Sequence, residues 1–493
     1  MNDMKKMKYI LMVFLTVFAM SACEDLEVEN LNDPDFDTAF SNPSDIKGVA
    51  GGLINRWFMI NQEYDGPGLA LWTAADAGTC SWGNAGMQDF GNEPRLEFNN
   101  RPSYSNAIIT ENYYNTLYSV LSQSNDVLAQ TITNGVEMED GSTPMVNAVA
   151  YFTQGLALGY LGLVYDKAFI VTHETDLTQE IESSSYSEMV AAAVASLEKS
   201  IEMSSSSSFT IPSSWIPGET WTSAEFAQLA RSYAARFLVF SARNKAEDNA
   251  TDWNKVYNLA KNGIQKDFAP LADDIQWYSL YQTYSIFDGW AQVDMHVINM
   301  MDPDMPARFP STGNFSDLPN FGEASSDDAR LESDFEYLSS CPFRAERGYY
   351  HFSSYRYSRL DTYLETWTEP MPVFRKAEND YLIAEAALKT NKVQEAADVL
   401  NASARVTRGN LPPVAANAEE IAEAIHYERI IELMLTGMGV EFFQMRKEDK
   451  LQEGTVQHLP IPGAQLDVMQ MDYYTFGPGL GTAGVDYSDG GWD

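Results

Sequence analysis

Two stretches of the chain gather aromatic rings and hydrogen-bonding side chains at short spacing. One runs from Leu71 through Trp72, Asp76, Trp82, Asn84, Gln88, Asp89 and Asn92 to Arg95; the other holds Trp277, Tyr278, Tyr281, Tyr284, Asp288, Trp290, Gln292 and Asp294. Aromatic planes stack on the apolar C–H faces of sugar rings, and amides, carboxylates and guanidinium groups hydrogen-bond sugar hydroxyls. The pattern is therefore compatible with a glycan-binding surface. Trp82 and Trp290 are the first candidates for stacking, with Trp72, Trp277, Tyr281 and Tyr284 beside them. Asn84, Gln88, Asp89 and Arg95 are the hydrogen-bonding candidates, and Gly83, Gly86 and Gly91 would let backbone approach a ligand. Taken singly, each ring reads as packing onto a core; taken as a set, they read as a site.

Catalysis has weaker support. His173, His296, His351, His426 and His458 are scattered, with no His-Glu-x-x-His metal motif, no Gly-x-Ser-x-Gly nucleophile elbow and no phosphate loop. A glycoside hydrolase needs two carboxylates across a scissile bond, and among 70 Asp and Glu residues no pair stands out. Binding without catalysis is the expectation, with a glycoside hydrolase as the weaker alternative. Asp33, Asp35 and Asp37 alternate as calcium-loop ligands do. Pro34 intrudes, however, and Thr38 and Ser44 replace the required glycine and glutamate, so a structural calcium ion is not indicated and no cofactor is expected. A net charge of −38 repels phosphate backbones, which excludes nucleic acid as a partner and favours a neutral glycan over an acidic one.

The elements around these stretches begin with an export signal. Lys5, Lys6 and Lys8 precede an apolar run from Tyr9 to Met20 that ends in Ser21-Ala22-Cys23, the pattern of a lipoprotein signal peptide whose cysteine is acylated. Residues 1–22 are read as signal, and 23–40 as a lipidated acidic tether. With Cys23 acylated, Cys80 and Cys341 remain; whether they pair is left open.

Beyond the tether, residues 41–493 read as one domain. Helical periodicity marks Asn112 onward to Leu128, Asn147 to Tyr165, Tyr186 to Met203, Ser223 to Asn244, Asp252 to Gln265, Asn379 to Lys389 and Val393 to Arg408. The Asn147 to Tyr165 segment is apolar enough to suggest a membrane span, but Asn147, Gln154 and the row Gly155, Gly159, Gly162 favour a helix buried against close neighbours. Ala384, Ala387, Ala396, Ala397 and Leu400 face inward as in tetratricopeptide-like hairpins. The fold class expected is mostly α: a helical-hairpin scaffold over about 110–265 and 375–447, carrying long loop-rich aromatic insertions at about 64–104 and 268–367.

The C-terminal third adds a resemblance. Glu428-Arg429-Ile430-Ile431-Glu432-Leu433, Gly437, Glu441-Phe442-Phe443, Met445-Arg446-Lys447 and Leu459-Pro460-Ile461-Pro462 together resemble the SusD/RagB family. The lipoprotein start, the Asn-Asp-Pro-Asp tether and the Ala384 hairpin are similar to it too. Ile430 stands where the family often has a second arginine, and Phe443-Gln444-Met445-Arg446 replaces an Asp-Leu-Arg-like run. Glu428, Arg429, Glu432 and Arg446 read as structural charges of a helix pair. The resemblance implies a SusD-like outer-membrane, cell-surface lipoprotein that captures oligosaccharide or polysaccharide and delivers it to a SusC-like TonB-dependent barrel transporter, with its binding aromatics in loops comparable to the two above. Peptide capture of the RagB type is the runner-up.

Overall fold

The computed structural model describes residues 42–80, 83–92, 95–308, 321–340 and 351–478. The expected signal peptide, the tether, Cys23, Trp82 and Cys341 lie outside the described residues. The longer helices are α1 (Pro43–Gln62), α2 (Ile108–Leu128), α3 (Thr143–Val164), α4 (Tyr186–Ser206), α5 (Ser223–Phe240), α6 (Trp253–Lys261), α7 (Lys376–Lys389), α8 (Val393–Ala402), α9 (Ala418–Ile431) and α10 (Val440–Lys447). Strands are short and occur in two-stranded pairs, one of which, β1 (Gly78–Cys80) with β2 (Ala291–Val293), matters for the site.

Local sequence explains where these helices start. Ser185 and Thr222 each accept from the backbone of a glutamate three residues on, Glu188 and Glu225, whose carboxylates return to the cap backbone. Two orphan donors are satisfied at each start. Asn42 caps α1 with Pro43 in its first turn, and Asn417 caps α9. The expected Ser223 to Asn244 and Asp252 to Gln265 helices stop earlier, at Phe240 and Lys261. The Val393 to Arg408 segment breaks at Ser403, whose hydroxyl accepts from the Arg405 N–H to open a separate short turn.

Each helix from α1 to α7 packs on the next, and α8 and α9 both pack on α7, with α10 following α9. Because α6 rests directly on α7, the scaffold is continuous although the 268–367 region separates the two in sequence. α3 is buried along most of its length among α1, α2, α4 and α5, which accounts for its apolar sequence without a membrane. Among the described residues no helix is long and apolar enough to cross a membrane. Close approach is built in: a Cβ on Gly159 would lie 2.3 Å from the Phe237 ring of α5. Ala384, Ala387, Ala396, Ala397 and Leu400 are buried as expected.

Charge is threaded through this core. Arg236 of α5 clamps Glu378 of α7, Nε to Oε1 at 2.6 Å. Arg330 reaches Asp328, Glu428 and Glu432; Arg429 pairs with Glu385; Arg446 donates to the carbonyls of Leu163, Phe240 and Gln457. Glu428, Arg429, Glu432 and Arg446 are all buried, so they tie elements together and face no ligand.

Candidate functional site

The two aromatic stretches meet through β1 and β2. The strands pair antiparallel with Gly78 opposite Val293, Thr79 opposite Gln292 and Cys80 opposite Ala291, so Trp290 enters the sheet at the end where β1 leaves it. Gly78 crosses the indole of Trp72 so closely that a Cβ there would lie 2.0 Å from the ring. The stretches expected to be loops also contain short helices, Gly68–Ala74, Met87–Gly91, Leu280–Ile286 and Met295–Met301, which give the pair a rigid bed.

Ser279 caps the Leu280–Ile286 helix by accepting from the Gln282 N–H, and that helix packs against α1. Its last turn runs into Phe287-Asp288-Gly289-Trp290, a tight turn closed by the Trp290 N–H donating to the Phe287 carbonyl at 3.0 Å, with Gly289 at φ 74°. The turn pushes two rings outward: Phe287 is 40% exposed and Trp290 39%. Tyr64, just beyond the end of α1, joins them at 36%. Tyr284 lies beneath. Its ring is parallel to Tyr64 (7°, centroids 6.5 Å apart) and tilted 56° to Trp290 at 5.0 Å, and Phe287 lies 4.9 Å from Trp290 at 41°. Asn84 donates its amide to the Tyr284 hydroxyl at 3.3 Å, which brings the first stretch to the second. Exposed large rings in contact form a bent apolar platform rather than scattered surface hydrophobics.

Four of the expected stacking residues are corrected by burial, and of these Tyr284 alone touches the exposed rings, as the support beneath Tyr64 and Trp290. Trp72, Trp277 and Tyr281 belong to the hydrophobic core; Trp277 packs on Phe58 at 4.9 Å, and none of the three presents a ring face to solvent. Arg95 is likewise structural, its guanidinium buried against Asp76 at 2.8 Å and the Thr455 hydroxyl at 2.9 Å. Gln88 is half-buried beneath Gly83. Asp89 is exposed and accepts from Tyr104 and Asn106; with Arg95, Phe90, Phe98 and Tyr104 it borders a separate cavity of about 210 Å³. Burial and the Asp89 carboxylate hold the Tyr104 phenol well above its usual pKa.

Of the candidates, Trp290, Tyr284 and Asn84 are therefore brought together, and Trp82 lies outside the described residues. Tyr64 and Phe287 escaped sequence reasoning. The signal for Tyr64 was the end of α1, itself hidden by three glycines; for Phe287 it was the Asp-Gly turn that follows. Burial raises the pKa of the Glu63 carboxylate beside Tyr64, the Tyr278 hydroxyl opposing the shift at 3.3 Å, and Asp65 raises that of the Tyr64 phenol. Among the described residues no cluster of His, Cys, Asp and Glu could hold a metal ion.

Comparison with known proteins follows the same line. The SusD family model matches residues 315–458. A SusD-like carbohydrate binding protein from Bacteroides fragilis shares the fold at a TM-score of 0.58 and 13% identity, over 83% of this chain and 87% of its own. A SusD superfamily protein from Bacteroides vulgatus also superposes at 0.58, with 16% identity over 90% of this chain and 100% of its own. No curated protein sequence matches the chain. The fold is that of the SusD-like helical proteins. Residues 315–458 are similar to the SusD family, and the likeness over the greater part of the chain is one of fold.

Proposed function

We propose that the protein is a cell-surface lipoprotein, anchored through Cys23, that binds a glycan on the Tyr64–Tyr284–Phe287–Trp290 platform and passes it to a partner TonB-dependent transporter without chemical change. The observation that carries this reading is the pair of exposed rings in contact, Phe287 and Trp290, joined to exposed Tyr64 through the buried ring of Tyr284, with the amide of Asn84 at the edge. Rigid aromatics lose little entropy when they engage a ligand, and their tilt suits a chain that bends across them. The SusD family match over residues 315–458, the carbohydrate-binding description of the fragilis structure and the lipoprotein-type start support the same reading. Migration of the purified protein in native gels cast with a panel of polysaccharides tests it. Retardation by one glycan supports the proposal, and silence across the panel removes it.

One observation favours peptide capture as a second reading. A cleft of about 800 Å³ is bordered by Asp302, Asp304, Asp327, Glu420 and Glu423, a surface suited to basic peptides. Titration with lysine-rich peptides separates the two.

A further inference from the structure

The platform is bordered by carboxylates that pair with no lysine or arginine among the described residues. Glu63 and Asp65 flank Tyr64 in the chain, and Asp288 occupies the turn between Phe287 and Trp290. Glu63 accepts from the Tyr278 hydroxyl and Asp65 hydrogen-bonds Tyr64; no lysine or arginine among the described residues pairs with Glu63, Asp65 or Asp288. Among the described residues, the guanidinium that touches the platform's helix is committed elsewhere. Arg356 touches the Ile286 carbonyl at 3.4 Å, but Asp361 holds its two terminal nitrogens at 2.7 and 2.6 Å, and Glu336 takes its Nε.

These facts constrain the charge of whatever lies on the rings. A cation held over Trp or Tyr faces is attracted by the ring quadrupole, and a neighbouring carboxylate adds Coulombic attraction. An anion at the same place meets the negative faces of the rings, three carboxylates and the field of a chain carrying −38. Glu63 adds to the contrast. It is half-buried, Asp65 repels it, and it recovers favourable energy when an ammonium group approaches. Resting on the platform as the saccharide site, we propose that its ligand is an amino-sugar oligosaccharide bearing free, protonated amino groups. The sugar C–H faces stack on Trp290 and Phe287, and the ammonium groups lie between Tyr64 and the Glu63, Asp65 and Asp288 carboxylates.

Calorimetric titration of the full chain with a β-1,4-linked glucosamine oligomer, its N-acetylated counterpart of equal length, a galacturonate oligomer and a set of neutral glucans tests this. N-acetylation keeps the backbone and removes the charge. Exposed cation–π and carboxylate contacts are each worth a few-fold, so the amino oligomer should bind about tenfold tighter than the acetylated one, with galacturonate undetected. That preference should shrink to about twofold in the Asp65→Asn, Asp288→Asn double variant and in about 0.5 M NaCl, where charges are screened. Equal or weaker binding of the amino form, or a preference the double variant leaves intact, overturns the inference. If a neutral glucan binds, Trp290→Ala abolishes that binding and the amino form gains nothing, the ligand class falls while the platform stands. If no saccharide binds, or Trp290→Ala leaves binding at the wild-type level, the platform reading falls and takes this inference with it.

Discussion

Glu441 sits fully buried in α10, with Oε1 accepting the Leu435 N–H at 2.8 Å and Oε2 without a hydrogen-bond partner. Burial pushes its pKa up to about 7. The native state therefore holds a proton that the unfolded chain releases above its ordinary value near 4.5, so stability is greatest below that value and falls as pH rises towards about 7. The cost at about pH 8 is up to about 3 kcal/mol. Glu441→Gln should melt at nearly the wild-type temperature at acid pH and above it at about pH 8. Parallel melting curves across that range would show that Glu441 is not the responsible group. The same kind of residue defeats a reading of composition. Trp72 and Trp290 have the same chemistry and similar polar neighbours, yet Trp72 fills the space beneath Gly78 and Trp290 stands outward. Only the three-dimensional path of β1 decides between them.

At the scale of elements, buried ion pairs and close contacts fix how helices meet. Glu378→Ala would leave Arg236 buried without its partner, a loss of about 3–5 kcal/mol, read as an earlier midpoint in urea unfolding. Gly159→Ala drives a methyl into Phe237 and should cost about 1–3 kcal/mol, while a Cβ on the exposed Gly52 of α1 would meet no heavy atom within 4 Å. A midpoint in Gly159→Ala equal to wild type would mean that α3 and α5 can separate freely. Helices with strong signals were legible in the sequence: α4 and α5 by their helical period, and the α7–α8 hairpin by its alanines. α1 was not. Gly48, Gly51 and Gly52 each lower helix propensity by about 1 kcal/mol, and the helix forms because Ile46, Ala50, Leu53, Ile54, Trp57 and Phe58 are buried along one face. Tertiary packing, with Gly51 pressed against the Trp215 indole, overrides local preference there.

For the whole molecule, the dominant quantity is charge. A net −38 repels itself in the folded state, so added sodium chloride up to about 0.2 M should raise the melting temperature as screening shortens the Debye length. A melting temperature that falls with salt would mean that the ion pairs outweigh the repulsion. Anchoring belongs to this scale too: Cys23→Ser should move the protein from washed membranes to the soluble fraction, and its retention there would count against lipidation. The continuous scaffold was foreseeable from helical period and the C-terminal motifs. The joining of the residue 71–95 and 277–294 stretches by β1 and β2 was not, because strands of three residues leave no periodic trace.

The most direct test of the platform compares two tryptophans. Affinity for the glycan that retards the protein in gels is measured for Trp290→Ala and for the buried Trp277→Phe. The expected result is a loss of about tenfold or more for Trp290→Ala, equivalent to about 1.4 kcal/mol, with Trp277→Phe binding as wild type although less stable. Wild-type affinity in Trp290→Ala would contradict the assignment of the exposed rings as the binding surface.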